Sequence, residues 1–259
     1  MKLELRNRHA LVCGASSGIG RATALALAAA GARVTTLARG EAELRNLVDE
    51  LEGDGHGLLI ADFDDQAGLD NILETSIQDL GPINILINNA GGPPGGPAHS
   101  ADPDAFLHAF NRHLLSNQKL LQAILPGMRE SGYGRVINII STSVKEPISG
   151  LGVSNTIRGA VASWAKTLAR ELGKDGITVN NVLPGFTQTE RLRSLFSAKA
   201  EKLGRSFEEI ESEALASVPM NRFATPEETA AAVVFLASPA AAYINGINLP
   251  VDGGRLGSL

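Results

Sequence analysis

The sequence predicts an α/β protein: one domain built on a doubly wound parallel sheet, with helices on both faces. Three observations carry this. Short β-branched or apolar runs alternate with Ala/Leu-rich helical patterns along the chain, which is the signature of repeated βαβ units. A length of 259 residues suits one large α/β domain and is short for two, and neither a linker nor an internal repeat divides it. With 44% hydrophobic and 20% charged residues, the chain can bury a substantial core.

The elements follow in order. "HALVCG" reads as the first strand, and "IGRATALALAAAG" as a helix closed by Gly31. "ARVTTLAR" is the second strand, followed by the helical "GEAELRNLVDELEG". "GLLIAD" and "INILINNAG" are the next two strands, with the helical "DDQAGLDNILETSIQDLG" between them. "RVINII" and "ITVNNVLPG" follow, each after a helical segment, and "GINLPVDGG" is the last strand. "GGPPGGPAHS" is too rich in Gly and Pro for regular structure. "FTQTERLRSLFSAKAEKLGRSFEEIESEALASVP" is a charged helical insertion between two strand signals. Trp164 and "AAAVVFLA" read as packing.

Composition narrows the function. A net charge of -5 and 4% aromatic residues argue against nucleic acid or an anionic membrane surface as partner. Cys13 is the only cysteine, so an intrachain disulfide is impossible and a cysteine zinc site is not expected. No secretory leader and no membrane span is legible, so a cytoplasmic protein is the expectation.

The first strand runs into "CGASSGIGRATALAL", with glycines at Gly14, Gly18 and Gly20 where a helix begins. Glycine allows the sharp turn and lets the backbone approach a pyrophosphate, whose charge then rests on the helix N-terminus. Strand before and helix after supply the context that this Rossmann-type motif requires. The second strand ends at Ala38 and Arg39, where an acid would hold the ribose 2′-hydroxyl of NAD. Arg39 can instead pair with a 2′-phosphate, which favours NADP(H) over NAD(H).

These features, in this order, resemble the short-chain dehydrogenase/reductase family of the single-domain type, nearest its 3-oxoacyl-[acyl-carrier-protein] reductases. The resemblance covers essentially the whole chain. The segment from Gly14 through Ser16, Ser17, Gly18, Ile19 and Gly20 matches the cofactor loop, with Cys13 where Thr is usual. Asp62 matches the acid that contacts the adenine. "NNAG", with Asn89, Ala90 and Gly91, matches the strand end beside the cofactor. "PGFTQT", holding Pro184, Gly185, Thr187 and Thr189, matches the segment whose Thr holds the nicotinamide amide. "VPMNRFATPEE" and "GINLPVDGG" match the C-terminal signatures. The resemblance implies a single NAD(P)-binding Rossmann domain over residues 1–259 and a substrate lid at about 186–218. It also implies a carbonyl or alcohol substrate and a homodimer or homotetramer, with the Val153–Leu172 helix and the helix of His113 at the interface.

The family's catalytic residues are an Asn, a Ser and a Tyr-x-x-x-Lys pair. Ser141, at the end of "RVINII", fits the Ser; the family's spacing then reaches Ser154 and Arg158 where Tyr and Lys stand, and His113 where Asn stands. A serine hydroxyl is far less acidic than a phenol, though it can orient a carbonyl by hydrogen bonding. Arg158 can hold ribose hydroxyls but stays charged, so it relays no proton. His113 titrates near neutrality when unperturbed, which makes it a candidate acid or base. Lys145 is a second candidate. Neither tyrosine, Tyr133 or Tyr243, has a Lys four residues on.

The favoured expectation is an NADP-dependent oxidoreductase with altered acid/base chemistry. A nucleotide-binding protein without redox activity is the first alternative, and a lyase or isomerase on the same fold, with His113 or Lys145 as base, the second. Leu192, Leu195, Phe196, Leu203, Phe207 and Ile210 in the insertion suggest a mobile lid and an apolar substrate.

Overall fold

A computed structural model of the chain describes residues 3–75 and 78–258, with only the backbone of Gln78. Its seven strands are β1 (His9–Cys13), β2 (Arg33–Ala38), β3 (Gly57–Ile60), β4 (Ile85–Asn88), β5 (Gly134–Ile139), β6 (Ile177–Pro184) and β7 (Asn248–Val251). They form one sheet in the order β3-β2-β1-β4-β5-β6-β7. Every neighbouring pair is parallel. Parallel strands need crossovers, and helices supply them on both faces.

β1 shows why these residues make this sheet. Ala10 and Val12 point into one core with β2's Val34 and residues of the helices α1 (Gly18–Ala29), α2 (Glu41–Glu50) and α9 (Pro226–Ala237). Leu11 and Cys13 point into the other, against the side of α3 (Gln66–Thr75), α5 (Ser116–Glu130) and α6 (Gly152–Leu172). A strand buried on both faces needs a continuous apolar run, and "ALVC" is one. Leu11, Leu86 and Ile87 are fully buried, and each contributes about 1.5–3 kcal/mol of transfer free energy.

The middle of the sheet also carries a polar line. Asn88 on β4, Asn138 on β5, Asn181 on β6 and Asn248 on β7 stand in register on adjacent strands. Each side-chain amide donates to the next residue's Oδ1 at 2.8 Å, from Asn88 through Asn138 and Asn181 to Asn248.

Two segments depart from the sequence reading. The helix predicted before "RVINII" is interrupted: α4 (Pro103–Phe110) runs into a π-helical turn, Asn111–Leu115, before α5. The predicted helix over "DDQAGLDNILETSIQDLG" is α3 followed by a 3-10 turn at Gln78–Leu80, with residues 76 and 77 outside those described. Among the described residues, no helix is long and apolar enough to cross a membrane.

Candidate active site

The strand order reverses between β1 and β4, so the loops leaving their carboxyl ends diverge and open a crevice. A cleft of about 1630 Å³ lies there, lined from the ends of all strands from β1 to β6. That exceeds an ordinary small-ligand pocket and has room for a dinucleotide plus a substrate.

Its floor is the β1–α1 turn. Gly14 and Gly18 have φ of +60° and +53°, which L side chains rarely adopt. A Cβ on Gly20 would lie 2.1 Å from the Gly14 carbonyl oxygen, so only glycine fits. Asn89 at the end of β4 braces this turn, its amide donating to the Cys13 and Gly14 carbonyls at 3.3 Å. Ser17, at the N-cap of α1, makes no side-chain capping bond, and the first turn of α1 has no acidic residue. The free N–H groups there are donors for an anion. This cradle fits the pyrophosphate of a dinucleotide cofactor. Cys13 sits beneath it, fully buried, and burial pushes its thiol up to about 12, so it is inert.

At the end of β2, Arg39 reaches towards Asp62 beyond β3, with Nη1 3.6 Å from Oδ2. Both are solvent-accessible and line the cleft, so the guanidinium is free to turn to a ligand phosphate. At the other end, Thr187, Thr189, Pro184 and Gly185 come from β6 and the loop after it. Thr189 caps α7 (Glu190–Leu203), accepting from the Leu192 N–H, and its methyl lies 3.1 Å from where a Gly18 Cβ would be.

Ser141, Ser154 and Arg158 meet in this cleft. Ser141 follows β5, its hydroxyl accepting from the Ser143 N–H at 3.1 Å. Ser154 and Arg158 lie one turn apart on the same face of α6. Arg158 is only 8% exposed. Its Nη1 donates to the Ile139 carbonyl at 2.9 Å and its Nη2 to the Ala90 carbonyl at 3.4 Å, which ties α6 to the ends of β5 and β4. Burial, and then Arg191, lower its pKa to about 10, which leaves it charged at neutrality.

Of the cofactor-loop and catalytic positions matched from sequence, Gly20 and His113 do not line the cleft. Gly20 lies packed beneath it. His113 sits in the π-turn, 3% exposed, in the wall behind Arg158. Burial, then the charges of Arg158 and Arg112, push its pKa down to about 2. The ring is therefore neutral across the physiological range and, in this arrangement, supplies no proton as a general acid. Its Nε2 and Asn88 Oδ1 have no protein partner, and both residues line a cavity of about 10 Å³ shared with Asn117 and Arg158. That is room for about one water. Lys145 lies beyond a 3-10 turn, outside the cleft lining.

The tyrosines are elsewhere. Tyr133 is buried at the opposite end of β5, its hydroxyl donating to the Ala237 carbonyl at 2.5 Å. Arg8 and Arg135 stack over its ring at 3.7 and 4.0 Å. Tyr243 is fully exposed.

The insertion forms α7 and α8 (Phe207–Ala216) over the cleft. Its apolar residues serve a small core of their own, where Phe186, Phe196 and Phe223 meet with ring centroids 5.6–5.8 Å apart. Ile210 is buried in that cluster and Leu203 is exposed, so neither faces a substrate. Leu192, Leu195, Phe196 and Phe207 do border the cleft, but Arg112 and Arg191 border it too. Those two arginines were not singled out from sequence. The signal for Arg191 was its position two residues beyond "PGFTQT".

Comparison with known proteins agrees with this arrangement. A family profile described as enoyl-(acyl carrier protein) reductase matches residues 14–255. The chain is 34% identical over 254 residues to 3-oxoacyl-[acyl-carrier-protein] reductase FabG of Vibrio cholerae, covering 97% of this chain and 98% of the relative. L-sorbose reductase from Gluconobacter frateurii, solved with NADPH and L-sorbose, superposes with a TM-score of 0.92 at 30% identity over 100% of both chains. A Phe-to-Trp variant of actinorhodin polyketide ketoreductase, solved with NADPH, gives 0.90 at 32% identity over 97% of this chain and 98% of that one. Sequence and backbone therefore agree along nearly the full length, and this chain belongs to the short-chain dehydrogenase/reductase family.

Proposed function

We propose that the chain is an NADP(H)-dependent oxidoreductase that interconverts a small carbonyl compound and its alcohol. Ser154 and Arg158 take the places of the family's Tyr and Lys. The observation that carries this reading is the fully built cradle: positive-φ glycines, an uncapped α1 N-terminus, the Asn89 brace and Arg39 at the adenosine end. The bound NADPH of two similar structures supports the same cofactor here.

The nicotinamide, when bound, supplies or accepts the hydride. The chain's own residues then position the reaction. The Gly14–Gly20 turn would hold the phosphates, and Thr187 and Thr189 would contact the cofactor from the other side of the cleft. Arg158, pinned by two carbonyls, presents a fixed positive charge to the cleft beside Ser154. Ser141 and Ser154 would donate hydrogen bonds to the substrate oxygen that turns anionic. A serine Oγ is too weak an acid to lead the transfer, so the proton comes from water in the open cleft.

The test is NADPH oxidation against a panel of ketones, oxo acids and oxo esters. Saturable turnover lost in Arg158→Met supports the reading. Confirmed NADPH binding with no carbonyl reduced overturns it. That result would favour a second reading, a nucleotide-binding protein without redox activity. Its supporting observation is that the two tyrosines lie outside the cleft and His113 is held neutral behind it.

A further inference from the structure

We propose that the substrate carries a carboxylate, held between Arg158 and Arg191 above the Gly92 turn. This deepens the oxidoreductase reading and rests on it for the word substrate; the anion site itself stands on separate observations.

The two guanidinium groups converge. A Cβ placed on Gly92 would lie 3.4 Å from Arg191 Nη2 and 3.8 Å from Arg158 Nη2. Gly92 has no side chain, so both cations face open cleft over bare backbone. Their protein partners are carbonyl oxygens: Ile139 and Ala90 for Arg158, and Pro93, at 2.7 Å, for Arg191. Among the described residues, no carboxylate forms an ion pair with either. Three other arginines that line the same cleft differ. Arg21 pairs with Glu50, Arg39 faces Asp62, and Arg112 makes a two-pronged bond to Asp64. Arg158 and Arg191 each have their pKa lowered, first by burial and then by another arginine.

Two uncompensated cations side by side are unfavourable until an anion completes them. The guanidinium fork matches a carboxylate in shape and donor spacing, which a lysine in the same place would not. Ser154 strengthens the argument. It lies one turn before Arg158 on the same face of α6 and lines the same cleft, of which a serine fills less than a phenol would. The cofactor's pyrophosphate has its own donors, on the uncapped turn of α1. The arginine pair lies instead over the loop after β4, beside Gly92. The class of compound that fits is a small oxo acid or hydroxy acid.

The experiment is a titration of the full chain with acetoacetate and pyruvate, and with methyl acetoacetate as the uncharged control. It is followed by calorimetry with and without saturating NADPH. The acids should bind saturably and the ester at least about tenfold more weakly. Arg191→Gln should weaken acid binding about tenfold while NADPH affinity changes less than about twofold, and Arg191→Lys should restore part of the loss. Arg191 lies on the exposed side of α7, so these variants keep the fold. Equal binding of acid and ester overturns the proposal. So does an equal loss of NADPH and acid affinity in Arg191→Gln, which would assign the anion to the cofactor's phosphates. Acid binding that depends on Arg191 but is never accompanied by reduction upholds the anion site and refutes only the oxidoreductase reading.

Discussion

His113 and His9 show how far a single residue's chemistry depends on its surroundings. His9 opens β1, its Nε2 paired with Thr35 Oγ1 at 2.9 Å, and burial followed by Arg33 lowers its pKa to about 4. His113 is lowered to about 2 by burial and then by Arg158 and Arg112. Both are held neutral when folded and titrate near 6.5 when unfolded. Below neutrality the unfolded chain therefore binds more protons. The stabilising contribution is complete above about pH 6.5 and is lost as the pH falls, towards 4 for His9 and towards 2 for His113. Each histidine should remove about 2 kcal/mol between pH 6.5 and pH 5. Urea denaturation at the two pH values measures this, and His113→Asn should remove about half of the loss. A pH-independent midpoint over that range would contradict it. The sequence identified His113 as a titratable group near the site. Its neutral state follows from burial, from Arg158 on α6, which is far away along the chain, and from its neighbour Arg112.

At the scale of elements, the asparagine line couples four strands. Asn88, Asn138 and Asn181 are buried, while Asn248 ends the line at the exposed strand β7. Asn138→Leu leaves the Asn88 amide and the Asn181 Oδ1 without partners in the sheet interior. The expected loss is about 2–5 kcal/mol in urea denaturation, against less than about 1 kcal/mol for Asn248→Ala at the exposed end. Equal losses would mean that the line does not act through burial. "LIN", "VIN" and "VNN" carried the three buried asparagines in plain view, but the registration of the line needs the pairing of strands up to 67 residues apart. The π-turn at Asn111–Leu115 was equally illegible, because it alters the hydrogen-bond register without altering the apolar pattern. The lid helices were legible as helices. Their phenylalanines serve the lid's own core because Phe186 and Phe223 arrive from outside the two helices.

For the whole molecule, the assembly proposed is a homodimer or homotetramer, with α4, the π-turn and α6 at the contact. Leu107 and Leu115 are 57% and 37% exposed on that side, apolar surface that a second copy would cover. Light scattering at micromolar concentration should give a mass of two or four chains, and Leu107→Glu with Leu115→Glu should shift it towards one. A wild-type monomer would refute the assembly. By itself the sequence determined the sheet, its crossovers and the dinucleotide cradle, because apolar periodicity and glycine spacing act over a few neighbouring residues. Tertiary structure alone decided that Arg158 and Arg191 share one opening, that His113 is silenced behind them and that four asparagines align. Each of these depends on distances between residues far apart in the chain, and such distances leave no periodic trace in the sequence.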